Sequence, residues 1–125
     1  MAPSADFLAF LKDQLRGLGH ITTRRMFSGA AIYCDGVVFA LVLRDVLHFK
    51  VDDGNRGVYV AEGLEPFIYQ AKGRSVRVEA YRRVPERLLD DPDEMLAWAR
   101  AALAVGRRAA SNTTAKRKPR RRPQR

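Results

Sequence analysis

Residues 30–51 read AAIYCDGVVFALVLRDVLHFKV, and this stretch decides the fold class. It holds three runs of strand-forming residues, 30–33, Val37–Leu43 and 46–51, joined by two short turns. Asp35-Gly36 between apolar runs is a strong hairpin signal, because glycine accepts the positive φ that a tight turn needs. Arg44-Asp45 indicates a second turn of the same kind. The stretch therefore predicts antiparallel strands joined as hairpins.

Alternation within these runs predicts which strand faces are buried. In the third run Leu47, Phe49 and Val51 share one face, and we expect His48 and Lys50 to be solvated on the other. Val37–Leu43 differs because it is apolar on both faces, with its odd-numbered residues on one and its even-numbered residues on the other. The second face must therefore be covered, either by another segment of this chain or by a second subunit.

Helices are predicted at both ends of this sheet. Leucine and phenylalanine recur at three- and four-residue steps over 5–18, where Ser4 is the expected cap. A last helix begins after the cap Asp91 and is expected to end at Gly106. Residues 67–71 and 76–81 form another candidate hairpin. The sequence thus predicts an α+β fold, an antiparallel sheet of hairpins with N- and C-terminal helices packed on it.

Charge divides the chain into a domain over 1–106 and a tail over 107–125. Of 23 basic residues, nine lie in the tail with no acid, which leaves 14 basic and 14 acidic residues in the domain. The tail lacks apolar residues to bury, so we predict that it is disordered and that it binds nucleic acid without reading sequence. The predicted contacts are Arg107, Arg108, Lys116, Arg117, Lys118, Arg120, Arg121, Arg122 and Arg125.

Several other classes of protein are disfavoured. No apolar run approaches the length of a membrane span, and no export signal is evident, so a reducing cytoplasm is the expected compartment. The soft metal donors His20, His48 and Cys34 lie on different predicted elements, so we expect no metal or other cofactor. A Cys34 nucleophile with His48 as base is disfavoured, because the adjacent Asp35 opposes formation of a thiolate.

The segment from Arg24 to Gly29 is the main candidate for an interaction site in the domain. In an extended chain Arg24 and Arg25 point to opposite faces. One of them could bind an anion or pair with Asp52 or Glu79, and we favour the ion pair over a ligand site.

The combined motifs resemble the TfoX (Sxy) N-terminal-domain family over residues 5–106. The matching pieces are Arg24-Arg25-Met26-Phe27-Ser28-Gly29, Ile32-Tyr33-x-Asp35-Gly36, Leu47-x-x-Lys50-Val51-Asp52, Pro66-Phe67-x-Tyr69, Tyr81-x-x-Val84-Pro85 and Leu89-x-Asp91-Pro92. One departure is Ser28, where the family usually has glycine. The resemblance implies a small α+β fold similar to secretion-chaperone-like folds, with no established catalytic residues. Its founding members regulate natural competence, acting with the cyclic-AMP receptor protein at promoters, and carry a second, helical domain.

Three functions are compatible with these features of the sequence. The first is a non-enzymatic regulatory or adaptor domain with a nucleic-acid-binding tail, resembling the competence regulators. The second is a protein-interaction module that docks a partner of the transcription machinery, or forms a homodimer, through the second face of Val37–Leu43. The third is an enzyme that uses Arg24, Arg25 or Lys50 at an anionic substrate, which requires a concave pocket where polar groups converge. We favour the first.

Overall fold

The fold is a six-stranded antiparallel sheet with three helices. In chain order one helix precedes the strands, one lies between the fourth and fifth strands, and one follows the last strand. The computed structural model describes residues 4–26 and 29–121, with side chains described as far as Ser111. The helices are α1 (Ala5–Gln14), α2 (Arg56–Ala61) and α3 (Pro92–Arg121). The strands are β1 (Ile21–Met26), β2 (Gly29–Cys34), β3 (Val37–Leu43), β4 (Val46–Lys50), β5 (Pro66–Ala71) and β6 (Arg74–Arg83), in the sheet order β1-β2-β3-β4-β6-β5. The predicted α+β class is confirmed.

Local signals placed the helix starts and the turns correctly. The Ser4 hydroxyl accepts the Phe7 N–H at 3.1 Å, and the Asp91 carboxylate accepts the Glu94 N–H at 3.1 Å. Both residues of the Asp35-Gly36 turn have positive φ, 50° and 83°, as a two-residue hairpin turn requires. The first helix is shorter than predicted, because it ends at Gln14 and a 3₁₀ turn over Arg16–Leu18 follows. The chain then enters β1, a strand that the sequence did not predict.

A bulge in β3 corrects the predicted assignment of its faces. Ile32 pairs with Ala40 and Tyr33 with Val38, so Phe39 has no direct partner on β2. Phe39 and Ala40 are consequently both fully buried, although simple alternation puts them on opposite faces. Because of the extra residue, β3 contributes side chains to the core both before and after the bulge.

All three helices contribute to a core on one side of the sheet, here called the helix face. Its buried residues include Leu8 and Leu11 of α1 with Leu15 just after it, Tyr59 of α2, Met95, Ala99, Ala102 and Leu103 of α3, and Ile32, Cys34, Phe39, Ala40, Val42, Leu47 and Phe49 of the strands. Trp98 packs edge-on against Tyr59 with ring centroids 4.9 Å apart. Trp98 is itself partly buried against the core.

The other side of the sheet is here called the hairpin face, because the β5–β6 hairpin curves over it. Strand register and ring contacts assign to it Arg24, Ala31, Tyr33, Leu41, Leu43, His48, Lys50, Phe67, Tyr69, Tyr81 and Arg83. Phe67 of β5 meets His48 of β4 edge-on at a centroid distance of 4.9 Å. The hairpin therefore covers the neighbouring strand β4 on this face, whereas Leu41 and Leu43 on the second face of β3 are only partly buried.

Candidate functional site

Lys50 lies half-buried on the hairpin face rather than in solvent. Its Nζ is 4.6 Å from the centroid of the Tyr81 ring and 3.5 Å from the Tyr81 hydroxyl oxygen. Burial lowers the pKa of Lys50, and burial together with the nearby Tyr33 raises the pKa of Tyr81 to about 12. The prediction of a solvated lysine is wrong because β6 places an aromatic ring against the side chain.

His48 is buried on the same face, so the prediction of solvation is wrong for it too. Its side chain is 6% exposed, covered by Phe67, and its Nδ1 lies 3.1 Å from the carbonyl oxygen of Val46. Burial lowers the pKa of His48 to about 4, and Arg83 on the paired strand acts in the same direction. Cys34 points to the helix face, where burial and the adjacent Asp35 raise its pKa. The two side chains lie on opposite faces, which rules out their pairing as nucleophile and base.

The arginines of β1 point to opposite faces, as predicted. Arg24 pairs with Ala31 on the hairpin face, whereas Arg25 pairs with Ala30 on the helix face, and both side chains are exposed. Arg24 shares its face with Lys50 but lies three strands away, or about 14 Å at the usual strand spacing. The polar groups required by the enzyme hypothesis therefore do not converge at these residues.

Other carboxylate pairings differ from the predicted ones. Asp52 binds Arg108, while Glu79 lies 2.7 Å from Arg77 Nε and 3.5 Å from Arg82. The sequence favoured an ion pair of a β1 arginine over a ligand site, with Asp52 or Glu79 as candidate partners. The topology supplies other partners to these two acids, because α3 and β6 bring their own guanidinium groups to them.

The remaining motif residues have separate roles. A Cβ on Gly29 would collide with the carbonyl oxygen of Val42 on β3, so this glycine is required for close packing of the two strands. Met26 is 38% exposed and lines a cleft described below. Phe27 and Ser28 lie outside the described residues.

Asp52 joins the turn after β4 to helix α3. The Asp52 carboxylate accepts two hydrogen bonds from the guanidinium of Arg108, each 3.0 Å, and a third from the Gly54 N–H at 2.9 Å. Burial alone would raise the pKa of Asp52, but the bonds from Arg108 and Gly54 outweigh it and hold this pKa below its usual value. Arg108, which the sequence assigned to the nucleic-acid-binding tail, is thus attached to the domain.

Helix α3 continues beyond the domain boundary that the sequence suggested. Gly106 does not end the helix, which runs to Arg121. Arg107 and Arg108 are exposed on it. Lys116, Arg117, Lys118, Arg120 and Arg121 lie where the helix backbone but no side chain is described, and Arg122 and Arg125 lie outside the described residues. Disorder over 107–125 stays a prediction.

A cleft of about 840 Å³ opens between the hairpin and the ends of β2 and β3. Its lining is mainly apolar and includes Leu41, Leu43, Phe67, Tyr69 and Val78. Among the described residues of the lining, Arg44 in the turn after β3 is the one that carries a charge. No motif in the sequence marks this cleft, although the apolar residues on both faces of β3 indicated that its second face would be covered.

Two further observations concern the part of the chain that the structure describes. Within residues 4–26 and 29–121, no group of three or more histidine, cysteine or acidic side chains is placed to hold a metal ion. No helix in these residues combines the length and the apolar character needed to cross a membrane.

Comparison with known proteins identifies one family. Residues 13–106 match the family model described as the TfoX N-terminal domain. The match includes every strand of the sheet, the cleft, and Lys50 and Asp52. No curated protein matches the chain.

Proposed function

Because the chain belongs to the TfoX N-terminal domain family, we propose that it is a non-enzymatic regulatory or adaptor domain that binds nucleic acid through its basic C-terminal segment. The family is not a known enzyme family. The competence-type transcriptional role implied by the resemblance belongs to this proposal. A reducing cytoplasm is the proposed compartment, and the buried free thiol of Cys34 is compatible with it.

The observation that carries the proposal is the segregation of charge along the chain. Residues 107–125 hold nine cations and no acid, whereas the domain is balanced at 14 against 14. Each phosphate neutralised by such a segment releases counterions, so affinity falls steeply with salt. No base-reading element is needed, and we expect binding that is micromolar or weaker and independent of sequence.

Arg108 limits which part of the segment is free to bind. Its guanidinium makes a two-bond pair with Asp52, which fixes the start of the segment beside the turn after β4. The seven cations from Lys116 onward lie beyond this attachment. We assign the phosphate contacts to those seven and a mainly structural role to Arg108.

The test neutralises these seven cations in the full-length chain. Replacing Lys116, Arg117, Lys118, Arg120, Arg121, Arg122 and Arg125 by glutamine keeps the Arg108–Asp52 pair. With about six phosphates contacted, the wild-type chain should lose affinity for duplex DNA with a log–log salt slope of about −5, and the variant should show about −1 to −2. A matched control exchanges the same lysines and arginines for one another, which preserves charge and should preserve the slope. Equal affinity and slope for wild type and the glutamine variant would refute the proposal.

A protein-docking role is the second candidate, favoured by the apolar cleft on the hairpin face. The occupant would be a partner from the transcription machinery or a second copy of this chain. Sedimentation of the full-length chain tests the homodimer. A wild-type dimer that the Leu43→Glu substitution dissociates would support a homodimer formed through the cleft. A monomer at high concentration would remove the homodimer.

A further inference from the structure

We propose that the cleft between the β5–β6 hairpin and the β2–β3 ends binds a small amphipathic anion, an acyl-chain carboxylate. Its chain would lie on Leu41 and Leu43, and its headgroup would reach Arg44. This site is separate from the basic C-terminal segment, and its existence does not depend on nucleic-acid binding.

The shape of the cleft arises from the curvature of the sheet. β5 lies three places from β3 in the strand order, yet residues of both line the same space. This arrangement requires the hairpin to bend over the hairpin face, as the contact between Phe67 and His48 also indicates. The result is a concave site, and its volume of about 840 Å³ lies within the range of small-molecule pockets.

The apolar lining determines the body of the ligand. Leu41 and Leu43 form the floor from β3, and Phe67, Tyr69 and Val78 contribute from the hairpin. An alkyl chain can follow such a surface and removes apolar area from water on both sides. For an open cleft we expect each added methylene to tighten binding about two- to fourfold until the floor is covered.

The charge of the sheet determines the headgroup. The residues assigned to the hairpin face include Arg24, Lys50 and Arg83 but no carboxylate, and the one carboxylate of the six strands, Glu79, is bound by Arg77 and Arg82. Among the described residues that line the cleft, Arg44 is the only charged one. The adjacent Asp45 accepts a hydrogen bond from the Ser4 N–H at 2.9 Å. An anionic headgroup is therefore complementary to this site, and a cationic one is not.

The same charges argue against a second copy of the chain as the occupant. A two-fold interface would bring identical patches together. Both patches would then carry Arg24, Lys50 and Arg83, with no carboxylate among the residues assigned to the hairpin face to compensate. A small anion avoids this repulsion.

The experiment measures binding of decanoate to the full-length chain, below its micellar concentration, by displacement of an anilinonaphthalene sulfonate dye. Octanoate and decanol provide the chain-length and headgroup comparisons. We expect decanoate to bind at least fourfold more tightly than octanoate, and more tightly than decanol. Equal binding of decanol and decanoate, or no dependence on chain length, overturns the proposal.

Three variants locate the site. Arg44→Gln should weaken decanoate binding about three- to fivefold and leave decanol unchanged, because an exposed charge contact contributes modestly. Leu43→Glu should weaken decanoate binding at least tenfold, with thermal unfolding as the check on its fold. Arg100→Gln is the matched control, since Arg100 is exposed on α3 at the opposite side of the sheet. Unchanged decanoate binding in both cleft variants overturns the proposal, as does a dimer of the wild-type chain that Leu43→Glu dissociates.

Discussion

Replacing Gly106 by alanine should destabilise the protein, although alanine is the better helix former. Gly106 lies inside α3, where a Cβ would lie 2.5 Å from the Val38 carbonyl oxygen and 3.0 Å from Val37 Cγ1. Helix propensity alone favours alanine by about 1 kcal/mol. Relieving the overlap requires α3 and β3 to separate by about 1 Å, and overpacking of this kind costs about 1–3 kcal/mol. The overlap involves rigid backbone, which favours the upper part of this range (about 2–3 kcal/mol), so subtracting the propensity gain leaves a net loss of about 1–2 kcal/mol.

Gly57→Ala is the matched control because Gly57 is also helical and exposed, and a Cβ there meets nothing within 4 Å. It should stabilise the protein by about 0.5–1 kcal/mol. Urea and thermal unfolding followed by circular dichroism measure both changes. The midpoint should fall by about 4–8 °C for Gly106→Ala and rise by a few degrees for Gly57→Ala.

A third variant separates close packing from the helix-end role that the sequence suggested for Gly106. At a left-handed C′ position asparagine is tolerated nearly as well as glycine. Inside a helix pressed against a strand, asparagine is larger than alanine and should cost at least as much. A Gly106→Asn protein as stable as wild type, or a Gly106→Ala protein more stable than wild type, would refute the packing argument.

Two further predictions concern acid sensitivity. Asp52→Asn removes the charge that binds Arg108 and should cost about 0.5–1 kcal/mol, since the pair is substantially exposed. The pKa of Asp52 in the folded chain lies below its unfolded value of about 3.9. The pair therefore contributes fully to stability above that pH, and this contribution is lost on further acidification. Between about pH 6.5 and 4, His48 binds a proton more readily in the unfolded chain than in the folded one. The free energy of unfolding should therefore fall by up to about 3 kcal/mol as the pH falls through that window. His48→Leu should remove this slope in urea titrations and His20→Gln, at an exposed site, should retain it; an unchanged slope in His48→Leu would contradict the assignment.

Local chemistry made much of the fold predictable. The Ser4 and Asp91 caps and the Asp35-Gly36 turn depend on residues close in sequence, and each lies where its pattern indicated. β1 was not assigned because it is an edge strand with four of its six residues exposed, so it lacks apolar alternation. Edge strands have one neighbour and little burial, and their pattern is correspondingly weak.

The candidate sites depended on contacts between distant segments, which no local pattern encodes. His48 and Lys50 alternate with apolar residues as a solvated face would, yet Phe67 of the curved β5–β6 hairpin packs on His48, which is buried. Gly106 has the sequence signature of a helix end, and only its approach to Val38 shows why glycine is needed within the helix. The partner of Asp52 is 56 residues away along the chain.

The arrangement of the two proposed anion-binding surfaces follows from β3. Its Val38 carbonyl oxygen meets Gly106 of α3 on the helix side, while its Leu41 and Leu43 form the floor of the cleft on the other. The strand is rigid because it is paired on both sides, with β2 and with β4. A ligand in the cleft and a polyanion on the C-terminal segment therefore need not compete for the same cations, since Arg44 and the seven distal cations belong to separate parts of the chain. Coupling between them would require β3 to shift against α3, and the close contact at Gly106 leaves little room for such a shift.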